Sequence, residues 1–101
     1  DNNTIKGWFE ELDEATLDFC KKYLDAEDDL VWKMIKTVLA SVSNTAVIQM
    51  QDYLGLGGEA RMNTPSTLGG NWQWRMSKRD ATKKLAARIA DMTRTYGRCE
   101  R

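Results

Sequence analysis

Gln49–Met76, QMQDYLGLGGEARMNTPSTLGGNWQWRM, decides how the rest of the 101-residue chain is read. Five of the seven glycines, the only proline and two of the four tryptophans fall within it. The sequence before it has helical periodicity, and the segment after it reads as one more helix. A loop with this many turn formers and large aromatics is either functional or packed tightly against another surface.

Working back from it, Thr45–Met50 (TAVIQM) is rich in β-branched residues and reads as one short strand. No second strand follows in the sequence, so both edges of this one would be open. Upstream, Leu30, Val31, Met34, Ile35, Val38 and Leu39 make a wide apolar helical stripe, with Asp28 as its expected cap. Leu17, Cys20 and Leu24 line a helix starting after Asp13, with Phe19 and Tyr23 widening that side. Ile5, Trp8, Phe9 and Leu12 share a face of a short helix over 4–12. Gly7 weakens that helix by about 1 kcal/mol relative to alanine and needs a packing reason to be there.

Working forward, Trp72, Trp74 and Met76 share a side if the backbone is extended. Ser77 and Asp80 have capping-box spacing and are expected to open the last helix. Its buried stripe is Ala81, Leu85, Ile89, Met92 and Tyr96, and Gly97 stops it. The order is helix, helix, helix, strand, glycine-rich loop, helix. This is a piece of α/β architecture, predominantly helical, and not a complete domain, because one strand cannot make a sheet. The opening DNNTIKGWFEE, without an initiator methionine, also reads as the middle of something larger.

Composition narrows the function. Fifteen Lys plus Arg balance fifteen Asp plus Glu, so the basic excess of a nucleic-acid groove is missing. No run of eighteen apolar residues suggests a membrane span. Without histidine the chain lacks the commonest general base and metal ligand. No metal or cofactor motif is present; LGLGG lacks the spacing and lysine of a phosphate loop. Cys20 and Cys99 read as a reduced pair ahead of a disulfide, which points to the cytoplasm.

Several residues retain two readings. Asp52, where the expected strand ends, either caps the following turn or contacts a ligand, and capping leads. Trp72 and Trp74 either pack or stack on a flat ligand, for which a sugar is a better guess than a base. Arg75 reads as a loop anchor. Asn63 has an amide suited to a sugar hydroxyl.

Three motifs in order carry a resemblance. Gln51-Asp52-Tyr53-Leu54-Gly55-Leu56-Gly57, Ala60-Arg61-Met62-Asn63-Thr64-Pro65 and Gly70-Asn71-Trp72-Gln73-Trp74-Arg75 resemble the C-terminal end of the 4-alpha-glucanotransferases. These are the amylomaltases, or disproportionating enzymes, of glycoside hydrolase family 77. Asp1-Asn2-Asn3-Thr4 followed by Gly7-Trp8 looks like the family segment after the seventh barrel strand. The resemblance covers residues 1–101 but only about the last fifth of a family member. It implies the C-terminal fragment of a (β/α)8 TIM barrel, with its last helices, last strand (45–50) and terminal helix.

It also implies an enzyme that moves a stretch of α-1,4-glucan from a donor to the 4-hydroxyl of an acceptor glucan or glucose. The mechanism is retaining, through a covalent glycosyl-enzyme. Asp1 looks like the third carboxylate, which holds the 2- and 3-hydroxyls of the strained sugar and favours the transition state. In the family a histidine precedes it, and this chain has none. Asn63 matches a loop asparagine near the glucan. Gln51, Pro65, Trp72, Trp74 and Arg75 look like loop framework. The family needs no metal or organic cofactor. Its nucleophile and acid/base should lie upstream of Asp1, so the isolated chain is expected to be inactive and to self-associate. Family members usually have glycine after the loop proline, where this chain has Ser66; a negative φ there would cost little, a positive one would strain the loop. Two other readings compete: a non-catalytic maltodextrin-binding module, suggested by the paired tryptophans, and a helical interaction segment, suggested by the striping.

Overall fold

The structure, a computed structural model, describes residues 2–98. Among the described residues five α-helices follow one another: α1 (Ile5–Glu11), α2 (Glu14–Leu24), α3 (Leu30–Leu39), α4 (Met50–Tyr53) and α5 (Lys83–Thr95). Two 3-10 turns, Gly58–Ala60 and Lys78–Asp80, lie between the last two.

Helix α3 is the hub, packing against α1, α2, α4 and α5. Its stripe explains this: Ile35 is fully buried and Leu39 nearly so, with Leu30, Val31 and Met34 half-buried beside them. Phe9, Leu24 and Ala60 complete the buried apolar set. That core is small for the chain. The radius of gyration is 14.8 Å, against about 13 Å for a compact domain of this length. The accessible surface is 7573 Å², whereas a closed domain of this mass would expose about 5,800 Å². The excess sits in unpartnered faces, including Val42, Val47, Leu68 and Trp72.

The expected strand does not form. Residues 45–49 have no regular secondary structure, Met50 already belongs to α4, and no strand occurs among the described residues. β-Branched residues favour an extended backbone, and Gln49 has one (φ −66°, ψ 145°). A strand also needs a neighbour to exchange ladder bonds with, and none is present among the described residues. The connection is held instead by Arg98. Its Nε donates to the Leu39 carbonyl at 2.8 Å, and its Nη2 donates to those of Ser41 (3.2 Å) and Ser43 (2.9 Å).

Helix ends account for two further corrections. The cap of α3 is Asp29 rather than Asp28; with φ 53° it makes no side-chain cap bond and turns its carboxylate to Arg88 at 3.1 Å. The Ser77–Asp80 capping box does form, but it closes only the turn Lys78–Asp80. Ala81 leaves helical backbone (ψ 73°), and Thr82 starts α5 afresh by accepting from the Leu85 amide at 3.1 Å. The stripe expected on α5 is therefore shorter, without exposed Ala81, and half-buried at Leu85, Ile89, Met92 and Tyr96. Gly97 ends the helix in left-handed backbone (φ 68°), as expected.

Faces differ in two places. Phe19 and Tyr23 do not widen the buried side of α2: they stand 66% and 75% exposed, their rings near-parallel with centroids 6.4 Å apart. On α1 Phe9 is buried, but Trp8 lies edge-on to it and is partly exposed.

Candidate functional site: a capped helix start and an exposed loop

Thr4 anchors the start of the site. It is fully buried, and its hydroxyl accepts from the Gly7 amide at 3.1 Å, making it the N-cap of α1. Asn3 accepts from the Thr4 amide (2.8 Å) through Oδ1 and donates to Glu11 (2.9 Å) through Nδ2. The next free helix-start donor, the Ile5 amide, is satisfied from 47 residues away, by Asp52 Oδ1 at 2.8 Å. A helix leaves its first amides unpaired, and an oxygen acceptor there is stabilising. Asp52 therefore caps α1 rather than the turn that follows it. Gln49 reaches its other oxygen at 3.5 Å. Asp52 is 5% exposed, which leaves little for a sugar to touch. Burial pushes its carboxyl above the usual range, and the bonds from Ile5 and Gln49 pull the other way without prevailing.

The same place explains Gly7. A Cβ on it would lie 2.8 Å from the Gly58 backbone nitrogen and 2.7 Å from Asn3 Oδ1. The packing reason is thus a direct backbone approach between α1 and the Gly58–Ala60 turn. Buried Gln51 fastens that turn, its Nε2 donating to the Ala60 carbonyl at 3.3 Å. The chain start and the first half of the glycine-rich stretch are one unit.

The second half is a separate, exposed loop. The Trp72 amide closes it on the Met62 carbonyl. Asn71 organises the interior: its Oδ1 accepts from the Thr64 amide (2.8 Å), and its Nδ2 donates to Thr67 Oγ1 (3.1 Å). Arg75 Nη1 holds the carbonyls of Trp72 (3.1 Å) and Trp74 (2.9 Å). Arg61 Nε donates to the Asn63 carbonyl at 2.8 Å, and Asn63 is half-buried. Pro65 is exposed at the turn. Ser66 has φ 64°, the strained alternative. Trp72 also lies in left-handed backbone (φ 59°), so Trp72, Trp74 and Met76 do not alternate along an extended chain. Trp74 is half-buried and Trp72 63% exposed. Asp1 and Cys99 lie outside the described residues.

The sequence profile described as 4-alpha-glucanotransferase matches residues 1–82. The chain belongs to the 4-alpha-glucanotransferase family. Its sequence is 46% identical over 105 residues to the 4-alpha-glucanotransferase of Clostridium butyricum, covering 99% of this chain and 21% of that one. Identity is 44% over 103 residues to the chloroplastic/amyloplastic enzyme of Arabidopsis thaliana, covering 97% and 18%. The fold superposes on the amylomaltase of Streptococcus agalactiae, solved in complex with acarbose, with a TM-score of 0.93 and 37% identity, covering 99% and 21%. The chain thus spans about a fifth of these family members.

Sequence reasoning missed a second polar–aromatic cluster. The Arg88 guanidinium lies 3.6 Å from the centre of the Trp32 ring, which packs against Tyr53 at 5.7 Å. A cavity of about 590 Å³ opens beside it between residues 25–29, α3 and α5. Arg88 and Trp32 are 56 positions apart, and no local pattern links them. Arg98 was missed for the same reason. Among the described residues no helix is long and apolar enough to cross a membrane.

Proposed function

We propose that the parent protein is a 4-alpha-glucanotransferase that moves a segment of α-1,4-glucan onto the 4-hydroxyl of another glucan or glucose by a retaining double displacement. The observation that supports this is the superposition of 99% of the chain on about a fifth of an acarbose-bound amylomaltase. In this reading Asp1 is the third carboxylate, favouring the strained sugar of the transition state. Asn63 offers its amide to a glucan hydroxyl. Gln51, Pro65, Trp72, Trp74 and Arg75 hold the loop that presents it. The chain forms the C-terminal part of a (β/α)8 barrel. A cytoplasmic setting is part of this reading.

A retaining transfer needs two carboxyl groups about 5 Å apart, and in this reading both come from the upstream part of the parent. The isolated chain is therefore inactive and self-associates through its uncovered apolar faces. The test is a maltotriose disproportionation assay on the full-length parent. Release of glucose with longer maltodextrins, lost in Asp1→Asn, is the expected result. An intact parent that produces neither sinks the assignment. If the isolated chain runs as a monomer in size-exclusion chromatography and unfolds cooperatively, the self-association part falls.

A further inference from the structure

We infer that the cavity between residues 25–29, α3 and α5 is a glucan-binding site, in which the Arg88 guanidinium and the Asp91 carboxylate engage the hydroxyls of a sugar unit; this rests on the proposed reading of the parent as an α-1,4-glucan enzyme. The cavity measures about 590 Å³, within the span of about 300–1,000 Å³ usual for small-molecule sites. Arg88 is held in place at its edge. Its guanidinium lies 3.6 Å from the centre of the Trp32 ring, and its Nη2 donates to Asp29 Oδ2 at 3.1 Å. Trp32 is backed in turn by Tyr53 at 5.7 Å. Asp29 is the N-cap residue of α3, yet its side chain makes no cap bond. Its carboxylate reaches instead to an arginine 59 positions away. That pairing takes up part of the guanidinium's fork of N–H donors, and the residue still borders the cavity. A long side chain fixed beforehand loses less freedom when a ligand arrives.

The lining selects among ligands. A sugar needs donors for its oxygens, acceptors for its hydroxyl protons and an apolar wall for its C–H faces. Arg88 and Lys36 donate, Asp91 accepts, and Met92 and Tyr96 supply apolar surface. One face of the Trp32 ring is covered by Arg88, so the indole serves by holding the guanidinium. Five carboxylate side chains line the cavity against three cationic ones. A phosphate would meet that negative excess and be repelled, whereas a neutral polyol would not. No group of side chains suited to holding a metal ion occurs among the described residues, which counts against a bare cation. A glucan is the neutral polyol that the proposed function supplies.

Hydrogen–deuterium exchange of the full-length parent, with and without maltotetraose, tests this at the site itself. Slower exchange on adding the sugar is expected in the segments 25–33 and 88–96. Arg88→Ala and Asp91→Ala should each raise the maltotetraose concentration needed for half of that protection by about tenfold. Arg88→Lys keeps the charge without the planar fork and should recover little. Both positions are exposed, and Asp91→Ala carries the test if Arg88→Ala does not fold. Maltotetraose that is disproportionated while both segments exchange unchanged overturns the inference and leaves the glucanotransferase reading in place. Protection by inorganic phosphate but not by maltotetraose does the same. So does an Asp91→Cys variant whose thiol refuses maleimide in the folded parent, since the parent's own chain then fills the cavity. A parent that neither binds maltotetraose nor turns it over overturns both.

Discussion

The two halves of the glycine-rich stretch both carry glycines, three in residues 49–60 and two in 61–76, and have opposite fates. Residues 49–60 are pinned by contacts that reach far along the chain: a hydrogen bond from Ile5 to Asp52, and the close backbone approach of Gly58 to Gly7. Residues 61–76 are pinned mostly by themselves, through Asn71, Thr67 and Arg75, with side chains largely in solvent. In the first half glycine permits two backbones to touch. In the second, Gly69 and Gly70 (φ 80° and 73°) permit a tight loop to close. Turn-forming composition alone does not distinguish a packing surface from a presenting loop; the range of the hydrogen bonds does.

Substitutions can break that contrast, and their effects should fall in order. Ile35→Ala, at the centre of the hub, is expected to destabilise the full-length parent by about 2–5 kcal/mol in chemical denaturation. A cost near zero would mean that α3 does not carry the pinned half. Gly7→Ala comes next, at about 1–3 kcal/mol, because strain against the Gly58 nitrogen exceeds the gain in helix propensity. Alanine tolerated without a drop in melting temperature would show that the two backbones can separate freely.

A smaller effect appears as a slope with pH. The folded state raises the Asp52 pKa, so between the unfolded carboxylate value and the raised folded one the unfolded chain ionises first. Stability contributed at this site is present at low pH and falls as pH rises across that window, then levels. Asp52→Asn should remove that part of the slope; an unchanged profile would show that burial does not dominate there. The smallest change belongs to the loop. Ser66→Gly relieves a left-handed serine at the cost of a freer unfolded chain, a net gain of about 0.5 kcal/mol. A clear loss in a thermal-shift measurement would mean that the serine side chain holds the loop.

Sequence periodicity places α1, α2 and α3 because their apolar stripes are local facts, and Asp13 and Gly97 mark ends through bonds to near neighbours. The readings that fail depend on partners elsewhere. TAVIQM has the intrinsic preference of a strand, but pairing supplies the rest. Asp52 is legible as a cap, while the helix that it caps lies 47 positions upstream. Thr4 does not stand out from Asp1, Asn2 and Asn3, since all four are capping residue types and only burial selects among them. The loop motifs are legible as family signature, yet their internal wiring through Asn71 is not, because an amide's partners in an irregular loop follow no period.

The grip of Arg98 on the carbonyls of Leu39, Ser41 and Ser43 has a meaning for biosynthesis. These bonds join positions 55 to 59 residues apart. During translation α3 can form early, but the segment after it has no such ligand until α5 and the residue beyond Gly97 have emerged. The middle of the chain therefore acquires its final course late, and a ribosome that stalls before Arg98 leaves it open to proteases and misplaced contacts.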